Sequence, residues 1–215
     1  MTGDEQQAVS KFLSFTKDPV IVELGAYTGE DGPLFESMIA PSQQLLHIMV
    51  EPDPRNLEVI LNNKNRPLGA NRRVIAGAIA AKSGVRTFHF SEDSRDGSRG
   101  SGSLLEPTGH IEHFPTIKFA HSAVVPCFTL DEIFEQERLP KIDLLWVDIQ
   151  GAEKEMITGG KRALANTRYC FMEAESIELY KGQALKPDLI AMLPGWSLVA
   201  DFGYNILLRN LEFDS

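Results

Sequence analysis

The stretch Val20-Ile21-Val22-Glu23-Leu24-Gly25-Ala26-Tyr27-Thr28-Gly29 decides the architecture. A short, mostly apolar and β-branched run ends abruptly at a glycine, the pattern of a buried strand that feeds a tight turn. Gly25 lets the chain leave the strand sharply and lets a ligand approach the backbone. Gly29 and the turn after it lead into the next helix or its cap. The spacing E-x-G-x-x-x-G departs from the G-x-G-x-x-G that seats a dinucleotide pyrophosphate, which disfavours a nicotinamide or nucleotide-sugar enzyme on a similar sheet.

Outward from this stretch, strands and helices alternate. Leu45 to Val50 reads as a second strand, closed by Glu51-Pro52-Asp53-Pro54. A helix from Arg55 to about Asn63 follows, with Pro54 suited to its first turn. Val74 to Ala81 reads as a third strand, with Val85 to Phe90 as its hairpin partner across Lys82-Ser83-Gly84. Val124 to Phe128 is a further strand, and Thr129 with Glu132 forms a capping-box signature for the helix after it. Ile142 to Ile149 is the most apolar strand, followed by one helix from about Ala152 to Leu164. Tyr169 to Met172, Ser197 to Ala200 and Tyr204 to Leu208 complete the set, the last two separated only by Asp201-Phe202-Gly203. This order predicts an α/β fold: a Rossmann-like, doubly wound, mostly parallel sheet with an antiparallel C-terminal hairpin, forming a single domain over residues 1–215. Ser91 to Phe119 breaks the pattern, with Gly97, Gly100, Gly102 and Gly109 among serines and charges. It reads either as a surface loop or as a lid or substrate-binding element.

Composition narrows the function classes. Of 215 residues, 43% are hydrophobic and 24% charged, enough to fill a core and to exclude wholesale disorder. The formal net charge of −9 gives no electrostatic footprint for nucleic acid or an anionic membrane surface. No apolar run approaches the ~20 residues of a membrane span, and Met1 to Ser10 lacks the pattern of a secretory signal. Cys127 and Cys170 lie in apolar runs and read as buried free thiols, which suits a cytoplasmic protein. The partner to expect is a small molecule.

Acids at strand ends carry the candidate chemistry. Glu23 could accept a hydrogen bond from an ammonium or hydroxyl. Glu51 could grip both hydroxyls of a ribose, or cap the helix near Pro54. Asp148 should emerge beside the crevice of the sheet, with Glu153 in the first helical turn beyond Gly151-Ala152. Two carboxylates so placed could share a proton, bind a substrate hydroxyl, hold a metal, or simply cap the helix. Glu173 and Glu175 end the next strand, Glu175 being the one more readily read as solvated. His110, His113 and His121 are rival bases, although loop histidines are commonly exposed. No metal-ligand spacing is present, so no metal is expected.

ELGAYTG, VEPDP, TLDEI and above all IDLLWVDIQGAEKEMITGG, followed by FMEAE, together resemble the FkbM family of S-adenosylmethionine-dependent methyltransferases. The resemblance runs from Val20 to Glu175, with a weaker echo in the last hairpin. Gln150 stands where the family usually has glutamate, Trp146 where it has lysine, and Glu23 where aspartate is more usual. The resemblance implies a class I methyltransferase fold and S-adenosyl-L-methionine as cofactor. It places Glu23, Gly25, Ala26, Tyr27, Thr28 and Gly29 around the methionine part, Glu51 at the ribose, and Ala78 and Ile79 at the adenine. Asp148 falls where substrate and methyl would meet, as base or orienting group, with Glu153 or Glu173 in support. It further implies O-methylation of a hydroxyl on a small molecule, sugar or natural product. A catalytically silent module that keeps the cofactor pocket is the alternative reading.

Overall fold

The structure is a computed structural model and describes residues 1–213. Its strands are β1 (Val20–Leu24), β2 (Leu46–Glu51), β3 (Arg72–Ala76), β4 (Ala78–Ile79), β5 (Gly84–Asp93), β6 (Ile117–Phe128), β7 (Ile142–Val147), β8 (Thr167–Glu173), β9 (Trp196–Asp201) and β10 (Asn205–Asn210). Its helices are α1 (Gly3–Leu13), α2 (Gly32–Ser37), α3 (Pro54–Asn62), α4 (Thr108–His113), α5 (Leu130–Gln136), α6 (Glu153–Gly159), α7 (Lys161–Ala165) and α8 (Lys186–Ala191). Seven strands form the main sheet in the order β3-β2-β1-β7-β8-β10-β9, parallel except for β10, which runs antiparallel to both neighbours. The predicted doubly wound sheet with its antiparallel C-terminal hairpin is therefore present.

Burial explains the layering. All five residues of β1 and all six of β7 are buried, because helices cover both faces of the sheet. Alternation then divides each strand. Val20, Val22, Leu24, Leu145 and Val147 pack with Leu130 and Ile133 of α5 and Met156 of α6. Ile21, Leu144 and Trp146 point the other way, onto Val9 and Leu13 of α1 and Phe35 of α2. Trp146, in the position where the family resemblance led to lysine, stacks on Phe171 with ring centroids 4.1 Å apart and meets Phe35 edge-on. Cys127 and Cys170 are buried and unpaired, as the apolar runs around them implied. No helix among the described residues is long and apolar enough to cross a membrane.

Several boundaries differ from the sequence reading. Val74 to Ala81 is not one strand: β3 ends at Ala76, and β4 belongs to a second sheet of order β4-β6-β5. The chain changes sheets at Gly77, where a Cβ would lie 2.7 Å from the Phe128 ring and 2.9 Å from the Pro126 carbonyl oxygen. The partner of β5 is accordingly β6, in antiparallel register, and not the third strand. β6 itself begins at Ile117, well before Val124. The single helix expected from Ala152 to Leu164 is broken into α6 and α7 at Gly159-Gly160, two poor helix formers in succession. Segment 91–119 is only partly loop, since it contains the end of β5, all of α4 and the start of β6. The Thr129–Glu132 capping box does form, at the start of α5.

Gly25 has φ +81°, and a Cβ there would lie 1.8 Å from the carbonyl oxygen of Asp148. Both the backbone conformation and the space exclude a side chain. Gly25→Ala should therefore cost at least about 2 kcal/mol in a urea unfolding experiment. Gly69→Ala, at a glycine with open space around it, should stay within about 0.5 kcal/mol. Equal midpoints for the two variants would contradict this packing.

Candidate active site

The carboxyl ends of β1, β2 and β7 converge where the strand order reverses, between β1 and β7. That is the place at which open α/β sheets form a ligand crevice. A cleft opens there, walled by Gly25 and Tyr27, by Val50 to Asp53, by Gly77 to Ile79, and by Asp148 to Gln150. Its far wall is Phe88 of β5 with Arg99, Gly100, Gly102 and Leu104. Part of the segment that broke the strand–helix alternation thus closes the cleft. It is held down by paired backbone bonds between His89 and Ser103 at 2.8 and 3.1 Å.

The turn after β1 is built by the backbone. The amides of Gly25 and Ala26 both donate to the Val50 carbonyl, at 2.9 and 3.0 Å, and the amide of Asp148 donates to Leu24 at 2.9 Å. Tyr27 sits in the left-handed region at φ 49°. Of the six residues assigned to the methionine part by resemblance, Gly25 and Tyr27 line the cleft, whereas Ala26, Thr28 and Gly29 lie in the same turn outside its walls. Glu23 lies beneath. It is 1% exposed, and its Oε2 is 2.7 Å from Nε2 of His47.

Glu51 is 4% exposed and lines the cleft. Its Oε2 accepts from the Tyr27 amide at 2.8 Å, and its Oε1 from the Asp53 amide at 2.8 Å and from Asn56 Nδ2 at 3.3 Å. Burial pushes its pKa up to about 7, against the pull of those donors. The cap of α3 is Asp53 rather than Glu51: its Oδ1 accepts from the Arg55 amide at 2.9 Å. Ala78 and Ile79 line the wall opposite the β1 turn, where the adenine was assigned.

Asp148 is exposed at the floor of the cleft, beyond the last residue of β7. Its partner is Glu173 at the end of β8 rather than Glu153. Enclosure by surrounding protein raises the Asp148 pKa, while hydrogen bonds from Gln150 and Glu173 oppose the rise. Glu173 is raised well above its ordinary range, by burial first and then by the charges of Asp148, Glu153 and Glu175. The hydrogen bond between the two carboxyls raises the pKa of Glu173 and lowers that of Asp148. Glu153 is 2% exposed and accepts from the Gly151 amide at 3.2 Å. Burial pushes its pKa up to about 7 as well. Glu175, read from the sequence as the more solvated acid, is 9% exposed and is more buried than Glu173.

The three histidines lie elsewhere. His110 is buried in α4 against Phe114, Phe119 and Tyr180, which corrects its reading as a surface residue. Burial lowers its pKa. His113 and His121 are exposed, and none of the three lines the cleft. No cluster of metal-ligating side chains occurs among the described residues.

Several wall residues escaped the sequence reading. Phe88 and Leu104 were hidden because neither lies in a motif. Arg99 had a signal, as the one basic side chain between Gly97 and Gly100. Its Nε is buried with no hydrogen-bond partner, so its donor is left for whatever occupies the cleft. Gln150 and Tyr180 are the other omissions. A cleft with an apolar wall at Ala78, Ile79, Phe88 and Leu104 and a few convergent polar groups suits a nucleoside-bearing cofactor.

The pattern of the Methyltransferase FkbM domain matches residues 23–206. The 2-O-methyltransferase NoeI of Sinorhizobium fredii (strain NBRC 101917 / NGR234) is 35% identical over 201 residues, covering 91% of this chain and 81% of that protein. The methyltransferase FkbM of Methylobacillus flagellatus KT superposes with a TM-score of 0.56 at 14% identity, covering 90% of this chain and 44% of the other. The present chain thus spans less than half the length of that structure. An O-methyltransferase from Bacillus cereus, solved with S-adenosylhomocysteine, gives a TM-score of 0.53 at 11% identity, covering 97% of this chain and 80% of the other. At such identities the two structures bear on the fold alone, which is that of class I methyltransferases. The chain belongs to the FkbM methyltransferase family, and its methyl donor is S-adenosylmethionine.

Proposed function

We propose that the chain methylates a hydroxyl group of a small molecule, with a sugar as the favoured class of acceptor. The observation that carries this reading is Asp148, an acid that lines the cleft beside the Gly25 turn, with Gln150 Nε2 2.6 Å from its Oδ1 and 2.8 Å from Glu173 Oε2. The sugar class is suggested by the position-specific name of the 2-O-methyltransferase relative. The free buried thiols agree with a reducing, cytoplasmic setting.

When bound, S-adenosylmethionine supplies a methyl group on a sulfonium, open to in-line displacement. The protein's task is to align the acceptor oxygen and to take its proton. Asp148 would receive that proton. Glu173 hydrogen-bonds to Asp148, and Glu153 braces the turn through the Gly151 amide. Glu51 would accept from ribose hydroxyls with the lone pairs its backbone donors leave open. Gly25 and Tyr27 would hold the methionine part, with Ala26, Thr28 and Gly29 shaping their turn. Ala78, Ile79 and Leu104 would hold the adenine. Glu23, bonded to His47, supports the turn from below. Residues 94–107 act as the lid and acceptor-facing element.

Asp148→Asn should lower kcat by about 10²–10⁴ with methyl-acceptor sugars, while the affinity for S-adenosylhomocysteine stays within a few fold. Turnover at the wild-type rate would remove Asp148 from the mechanism. Because the pair must be free to accept a proton, kcat/KM should rise with pH through a limb that lies above the ordinary aspartate value. A limb near the ordinary aspartate value would contradict the raised pKa of the pair. Glu51→Ala should abolish most of the thermal stabilisation that saturating S-adenosylhomocysteine gives the wild type, about 2.7 kcal/mol at a hundredfold excess over Kd. Undiminished stabilisation would place the ribose elsewhere.

A further inference from the structure

Gln150 occupies the position where the family resemblance led to glutamate, and its environment explains why an amide serves there. Its Nε2 lies 2.6 Å from Asp148 Oδ1 and 2.8 Å from Glu173 Oε2. Its Oε1 lies 2.6 Å from the hydroxyl of Tyr180. Only one orientation of the amide satisfies all three contacts. With Nε2 toward the acids, its two hydrogens serve one carboxyl each, and Oε1 accepts from Tyr180. The reverse orientation would set a carbonyl oxygen against two carboxyl oxygens.

The amide is fixed from behind as well. Gln150 has φ 53° and Gly151 has φ 92°, so the residue is presented on a left-handed turn. The Gln150 carbonyl accepts from Ser103 Oγ at 2.6 Å, and Ser103 Oγ in turn accepts from the Leu105 amide at 3.0 Å. Tyr180 is 1% exposed, and its ring packs on Gly151, where a Cβ would come within 3.1 Å of it. The Tyr180 hydroxyl also lies 2.8 Å from the Ser101 carbonyl.

We propose that Gln150 is a positioning residue, whose amide, oriented by Tyr180 and Ser103, holds the Asp148–Glu173 pair in the arrangement that receives the acceptor's proton. This rests on the reading of Asp148 as the group that takes that proton. A glutamate at this position would place a third carboxyl within hydrogen-bond distance of two others. Further acids already face the pair: Glu153 at the start of α6, Glu175 beyond β8 and Asp31 ahead of α2. Among the described residues, the cations that reach these acids are Lys186 of α8, acting on Glu175, and the N-terminal ammonium, acting on Asp31. An uncharged double donor is thus the side chain that stabilises the shared-proton state without adding charge.

The test uses full-length Gln150→Glu and Tyr180→Phe. Carboxyl titrations are followed by ¹³C NMR in the protein without added cofactor or acceptor, and pH–rate profiles are measured with S-adenosylmethionine and a methyl-acceptor sugar. In Gln150→Glu, the proton exchange of the pair and the matching limb of the rate profile should move up by about one pH unit or more. Tyr180→Phe, which removes one hydroxyl, should lower kcat about three- to tenfold with an unchanged KM for the methyl donor. Titration and rate profiles that match the wild type in both variants would overturn the proposal. If Gln150→Glu does not fold, Tyr180→Phe with unchanged kcat and unchanged titration overturns it alone. The NMR arm needs no turnover: shifted titrations in a protein that methylates nothing would uphold the role of Gln150 and count against the reading of Asp148.

Discussion

The cleft exists because the chain can turn at Gly25 directly against the carbonyl of Asp148. The ends of β1 and β7 meet there, with the Asp148 amide bonded to Leu24 and no room for a Cβ. That approach brings the turn after β1 within reach of the acids on β7 and β8. It also leaves the gap between β1 and β7 at the point where the helices part to opposite faces of the sheet. Glu51, Asp148 and the small β4-β6-β5 sheet take their places relative to that turn.

The site holds buried acids without neutralising each one by a cation. Glu51 accepts from two amides and an asparagine, so its lone pairs are oriented but its charge is not cancelled. Asp148 and Glu173 manage the same difficulty by sharing a proton, and Gln150 bridges them. Desolvation raises all three pKa values. The arginines nearby are mostly engaged: Arg55 is spent on Asp53, Ser91 and Glu92. Arg99, with its unpartnered Nε, is the wall's free cation among the described residues.

Much of the fold was legible because burial writes a simple code. Strands covered on both faces, such as β1 and β7, are apolar runs closed by glycine or by an acid, and these were located to within a residue or two. The missed features arise where a few residues serve two demands. Gly77 reads as one residue of a continuous apolar run, yet close approach of Phe128 forces the chain there into a second sheet. Gly159-Gly160 splits a periodic helix. In the site, Glu51 and Asp148 were legible because strand-end acids follow from topology. Pairing was not: Asp148 meets Glu173 across neighbouring strand ends, and Gln150 meets Tyr180 through a loop whose path no local pattern encodes.

The cleft is a seat for S-adenosylmethionine only if the wild-type chain binds it. Isothermal titration with S-adenosylmethionine, S-adenosylhomocysteine and NAD should give one-to-one binding of the first two in the micromolar range and no measurable heat with NAD. Binding of NAD, or no heat with either methyl-cofactor form, would contradict it.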